Sequence, residues 1–172
     1  AGRNDAATPL ATWVLLDRFA EVLVFANDRL AQMSSGRYEL VRVDDEAGSA
    51  GRRDRGLGLG VIDRFSPGGV RDPKTLSGGE TFYVSLALAL ALADVVTAES
   101  GGVAMETLFV DEGFGSLDPE TLQAVLAELG RLQAGGRTVG IVSHVEELRR
   151  QIPDRIEVAR APSGSTLRIT AS

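Results

Sequence analysis

"ETLFVDEGFGSLDPETLQAVLAELGRLQAGGRTVGIVSH", residues 106–144, decides the fold class. Its first apolar run ends in two acids, Asp111 and Glu112, the pattern of a strand buried on both faces. Asp118 then suits a helix N-cap, Pro119 the first helical position, and Gly135–Gly136 the stop. The second apolar run, "TVGIV", predicts another buried strand that leads into His144. Strand, helix and strand at this spacing imply a right-handed crossover between parallel neighbours. The expected class is therefore α/β, a mostly parallel sheet flanked by helices. Sites in such sheets form at the C-terminal strand ends, where Asp111, Glu112 and His144 all fall.

Upstream, "TLSGGETFYVSLALALALADVV", residues 75–96, passes from a glycine-rich turn into a long apolar run. It predicts a helix from about Gly79 to Ala98. Ser77 and Glu80 form an S-x-x-E capping box, each side chain satisfying a free backbone N–H at the helix start. The same N–H groups and the positive end of the helix dipole also make an anion site, and the turn alone does not choose between the two roles. The apolar part, residues 85–96, is too short to span a bilayer and reads as a buried helix.

Further out, Leu15, Phe19, Val22, Ala26, Leu30 and Met33 recur three or four apart, an amphipathic helix over residues 10–33 that closes near Ser34–Gly36. Residues 37–43 alternate as a half-buried strand, and residues 57–63 read as a second strand after a polar loop. Downstream lie a short helix, "VEELRRQI", and a closing pair of strands, "RIEVAR" and "STLRIT". Ser143 and Glu146 have the spacing of a second capping box.

With 172 residues, 44% of them hydrophobic and 24% charged, the chain reads as a globular domain. It has no cysteine, which excludes disulfides and cysteine-ligated zinc and suits a reducing compartment. A net charge of −6 gives no support for a large nucleic-acid surface. Arg52, Arg53 and Arg55 read as a solvated basic loop, and the first ten residues lack the layout of a secretory signal.

Two adjacent carboxylates at the end of an apolar strand are costly unless something cationic offsets them. Side chains alternate along a strand, so Asp111 and Glu112 can do different jobs, one toward a metal and the other toward a water. His144 ends the next strand, where an imidazole can donate to a phosphate oxygen. The plain alternatives are solvated acids at the start of a loop and a histidine at a helix start.

"LSGGE", "TLFVDEGFG", "SLD" and "SH" follow one another in that order. Together they resemble the C-terminal half of an ABC-type ATPase head, as its signature motif, Walker B, D-loop and switch histidine. "DEGFGSLD", "FANDRLAQMSSGRYEL", "SLALALALAD" and "VGIVSHVEEL" are similar to the SbcC family, SMC-like ATPase subunits of a bacterial DNA-repair nuclease. That resemblance implies residues 1–35 at a junction between coiled coil and head, and residues 36–172 as the C-terminal ATPase lobe. It implies ATP and Mg²⁺ as ligands, with Mn²⁺ confined to the nuclease partner. Ser77, Gly78, Gly79 and Glu80 would face ATP held by an opposing head. Asp111 would support Mg²⁺, Glu112 would activate water, His144 would contact the γ-phosphate, and Asp118 would cross the dimer interface.

The implied partners are an N-terminal half carrying the Walker A, a second head, an SbcD-type nuclease and double-stranded DNA ends, with no membrane. The implied location is cytoplasmic and nucleoid-associated. A structural SMC-type DNA tether and a transporter ATPase subunit remain as alternatives. Within the chain only "GGVRDPKT", residues 68–75, approaches a P-loop, and Pro73 removes a backbone donor where the phosphate cradle needs one. The chain alone is therefore expected to be inactive.

Overall fold

The computed structural model describes residues 10–43, 58–99, 106–162 and 164–171. Four helices and six strands lie among the described residues: α1 (Leu10–Met33), β1 (Tyr38–Arg42), β2 (Leu59–Asp63), α2 (Gly78–Glu99), β3 (Thr107–Asp111), α3 (Pro119–Ala134), β4 (Thr138–Val142), α4 (Glu146–Gln151), β5 (Arg155–Ala161) and β6 (Gly164–Thr170). Arg52, Arg53 and Arg55 fall outside the described residues.

The strands form three pairs. β3 and β4 are parallel, with Val110 opposite Ile141, while β1/β2 and β5/β6 are antiparallel. The α/β class holds, but of the three described pairs only β3/β4, the one that α3 bridges, is parallel, so the pairing is mixed rather than mostly parallel. α1 and α2 pack against each other, and α1 also meets α3. Their shared core includes Val22, Ala26 and Leu30 of α1, Ala87 and Leu90 of α2, and Val125 and Leu129 of α3. Burying a side chain such as Leu30 or Leu90 contributes about 1.5–3 kcal/mol each.

α2 is 22 residues long and holds an 18-residue stretch with a mean hydropathy of 1.8, so by length and composition it could cross a membrane, unlike the shorter run read from the sequence. Its Tyr83, Val84, Leu86, Ala87, Leu90, Ala91 and Val95 are buried in the core, which accounts for that hydropathy. Leu92 and Val96 on its other side are exposed.

Three further expectations change. β3 and β4 are covered on one face only: Leu108, Val110, Val139 and Ile141 join the core, but Phe109 is 72% exposed and Val142 51%. Phe109 lies over Gly140 on that open face. Leu15, counted in the apolar stripe of α1, is exposed, because the first turns of that helix extend past the core. The second capping box does not form. Ser143 Oγ accepts from the N–H of Val145, two residues on, at 3.1 Å, and Val145 is the uncapped start of α4.

The near-match to a P-loop falls on the turn at Pro73–Thr75. Asp72 caps it, with Oδ1 accepting from the Lys74 N–H at 2.9 Å, so a carboxylate already occupies a donor that a phosphate would need. Gly60 lies inside β2, where an added Cβ would meet Val43 and Val70.

Candidate functional site

The first group of candidate residues gathers at the start of α2. Ser77 and Glu80 make the expected capping box: Glu80 Oε2 accepts from the Ser77 N–H at 2.8 Å, and Ser77 Oγ accepts from the Glu80 N–H at 3.3 Å. The cap uses a lone pair of the Ser77 hydroxyl. Burial pushes the Glu80 carboxyl up, yet hydrogen bonds from Tyr38 and Ser77 outweigh it and hold the group below the ordinary glutamate range.

Ser77, Gly79 and Glu80 share a cleft of about 420 Å³ with Ser34, Arg37 and Asp118. Asp118 caps α3, with Oδ1 accepting from the Thr121 N–H at 2.9 Å and Oδ2 from its hydroxyl at 2.7 Å. Those bonds lower its pKa. A Cβ at Gly79 would lie 2.7 Å from the Ser116 carbonyl oxygen, so glycine is needed there for α2 to approach the turn before α3. Gly78 has more room, the Ser116 Cβ lying 3.7 Å from where its own would be.

The second group stands at the ends of β3 and β4. Glu112 continues the ladder one residue past β3, its N–H donating to the Val142 carbonyl at 2.8 Å. It does so at φ 59, left-handed for a residue with a side chain. Gly113 follows at φ 96 with the Phe82 ring packed against it, and Phe82 also meets Phe114 edge-on at 5.0 Å. This bend brings the Glu112 carboxylate to His144, with Oε2 3.0 Å and Oε1 3.3 Å from Nδ1. The His144 side chain is 80% exposed and that of Glu112 51%. The Asp111 carboxylate has no bonding partner among the described residues.

Glu112 and His144 thus meet directly, while Ser77, Gly79, Glu80 and Asp118 share the cleft that none of Asp111, Glu112 or His144 lines. Among the described residues no three of His, Cys, Asp and Glu cluster as metal ligands. Mg²⁺ in phosphate-binding sites takes one or two carboxylates and completes its shell with phosphates and water, a demand that Asp111 fits. Sequence reasoning missed Tyr38, whose hydroxyl reaches Glu80 across 42 residues, and Arg37 beside it. Their stretch reads locally as the edge of a strand, with no spacing signal for a contact so distant.

Residues 66–130 match the family described as SbcC/RAD50-like, Walker B motif. Over 168 residues, 98% of the chain, the sequence is 50% identical to the SbcC component of the SbcCD nuclease of Vibrio cholerae. The chain belongs to the SbcC family. Over 95% of its length it is also 43% identical to the SbcC component of the same nuclease in Treponema pallidum. This SbcC segment spans 16% of the length of the first relative and 15% of the second. Its fold is that of SMC ATPase heads. A structure from work on ATP-driven dimerization and DNA-stimulated activation of SMC ATPases aligns with a TM-score of 0.68, over 92% of this chain and 88% of that one, at 15% identity.

Proposed function

We propose that the segment is the C-terminal lobe of an ATPase head in an SbcC-like protein. ATP binding and hydrolysis at a head dimer would control cleavage of DNA ends and hairpins by an SbcD-type nuclease. Residues 1–35 form the junction with a coiled coil, residues 36–172 form the lobe, and the Walker A comes from the N-terminal half of the same protein. The protein works in the cytoplasm, at the nucleoid.

The observation that carries this reading is the pairing of Glu112 with His144 at the ends of adjacent parallel strands. A left-handed backbone at a non-glycine residue costs on the order of 1–3 kcal/mol and persists where the surroundings demand it, often at functional sites. Here it turns the Glu112 carboxylate to the same crevice as His144, where Glu112 accepts a proton from the attacking water. His144 orients that carboxylate and donates to the γ-phosphate. Asp111 supports Mg²⁺, which when bound supplies charge neutralisation on the phosphates. Ser77, Gly78 and Gly79 face the ATP of the opposing head, Glu80 holds their turn, and Asp118 lies at the dimer interface.

A structural SMC-type tether shares the head fold but needs no nuclease. The full-length protein, purified with its bound partners and supplied with ATP–Mg²⁺ and hairpin DNA, separates the two. The expected result is co-purification with a metal-dependent nuclease and hairpin cleavage that depends on ATP. ATP turnover without such a partner would favour the tether.

A further inference from the structure

Tyr38 is the first residue of β1 and is 3% exposed. Its hydroxyl donates to Glu80 Oε1 at 2.6 Å, while the other oxygen of the same carboxylate, Oε2, accepts from the Ser77 N–H. Three contacts hold the tyrosine in turn. The Arg37 guanidinium lies 4.8 Å over its ring, Tyr83 packs with ring centroids 6.1 Å apart, and its own N–H donates to Ser34 Oγ at 3.2 Å. Arg37 is itself fixed by a forked pair of bonds to Asp63, at 3.1 and 2.9 Å. The arrangement is a chain from Asp63 through Arg37 and Tyr38 to the turn that presents Ser77.

We infer that Tyr38 is a positioning residue for the signature turn, and that its hydroxyl is the reason for glutamate rather than glutamine at position 80. An exposed capping-box glutamate ordinarily samples several rotamers. Here the carboxylate receives one donor on each oxygen, which leaves a single orientation, and Ser77 N–H is held by it. Glutamine has only one acceptor oxygen. Bound to Ser77, it would have to present its NH₂ to Tyr38, turning the buried hydroxyl hydrogen away from its acceptor. A charge-assisted bond would give way to a neutral one of about half the strength. This inference rests on the reading that Ser77 meets nucleotide held by an opposing head.

The test uses the full-length protein with ATP–Mg²⁺ in the non-hydrolysing Glu112→Gln background, measuring the dissociation constant of the ATP-dependent dimer and the nucleotide affinity of single heads. Tyr38→Phe keeps the ring and should weaken the dimer about tenfold, the loss of one charge-assisted bond. Nucleotide affinity should stay unchanged, because the hydroxyl that the variant removes touches only the turn, at Glu80. Glu80→Gln should weaken the dimer on its own but add little in the Tyr38→Phe background, where one donor has gone and one acceptor suffices. A general loss of folding would lower both readouts together.

Dimers of Tyr38→Phe within twofold of the parent, parallel loss of nucleotide affinity, or full additivity with Glu80→Gln would each overturn the inference. A parent protein that forms no ATP-dependent dimer would overturn the head-dimer reading, and this inference with it.

Discussion

Glu112 Oε2 and His144 Nδ1 stand 3.0 Å apart although 32 residues separate them in the chain. β3, α3 and β4 account for the meeting: a parallel pair returns the chain to the same edge of the sheet, and the bend at Glu112–Gly113 aims the carboxylate. Glu112→Gln keeps the shape and a hydrogen bond to the imidazole but removes the base. In the full-length protein, turnover should fall by about 10²–10⁴, while ATP still binds and ATP-bound dimers accumulate. Phosphate release measured beside dimer mass checks this. A near wild-type rate would show that another group takes the proton.

Asp63 gives a pH signature. Hydrogen bonding to Arg37 holds its carboxyl well below the ordinary aspartate range, at about 2. A folded-state value below the unfolded one contributes stability in full above the unfolded pKa, about 3.9. That contribution is lost as the pH falls from there toward 2. Urea midpoints of wild type should therefore drop across this window more steeply than those of Asp63→Asn. Equal slopes would mean that the Arg37–Asp63 pair does not persist in solution.

A second ionic group ties the helices together. Arg29 of α1 reaches Asp94 of α2 at 2.6 Å and lies 3.2 Å from Glu128 of α3, while Arg137 and Arg131 hold the outer sides of the two acids at 2.7 Å each. The Glu128 side chain is 7% exposed, and Arg29 Nε, also buried, is too poorly aligned to bond it. Arg29→Met should lower stability by about 1.5–3 kcal/mol, the loss of a hydrogen bond to a charged group, since Arg137 and Arg131 still hold the two acids. Arg29→Met together with Glu128→Leu should recover most of it. Denaturation of single and double variants measures the coupling, and a double variant as unstable as the sum of the singles would contradict it.

Local signals were legible wherever a short period or a cap determined the structure. The α1 bounds, the Ser77–Glu80 box, the Asp118 cap and the parallel β3/β4 pair all follow from spacing. The approach of Asp111, Glu112 and His144 to one sheet edge was legible too, from the strand–helix–strand order. Illegible were the features made by distant residues: the Tyr38–Glu80 bond, the Arg29 network and the packing of Phe82 on Gly113. Burial was misread for β3 because an apolar run looks the same whether its second face is covered by this segment or not.

That uncovered surface makes a prediction of its own. Ile156, Val158, Leu167 and Ile169 form two cross-strand pairs on one face of the β5/β6 ribbon, each 65–74% exposed, and Phe109 is exposed on β3. Large apolar patches seek partners. The segment expressed alone should aggregate or stay poorly soluble, and should show neither micromolar ATP binding nor turnover. Co-expression with the N-terminal half should restore both. A soluble segment that hydrolyses ATP by itself would contradict the two-lobe arrangement.

Ser77 offers the most direct test, because its two roles diverge on substitution. As a cap alone, Ser77→Arg would cost about 0.5–2 kcal/mol of stability and leave the folded protein active. Facing the nucleotide of an opposing head, an arginine would fill the space beside Gly78 and Gly79 that the phosphate needs. The measurement is the mass of the full-length protein by light scattering with and without ATP, beside nucleotide affinity. The predicted result is unchanged ATP affinity with complete loss of the ATP-dependent dimer and of hydrolysis, although Asp111, Glu112 and His144 are intact. A Ser77→Arg variant that dimerises with ATP like wild type would contradict it and leave Ser77 as the cap of α2.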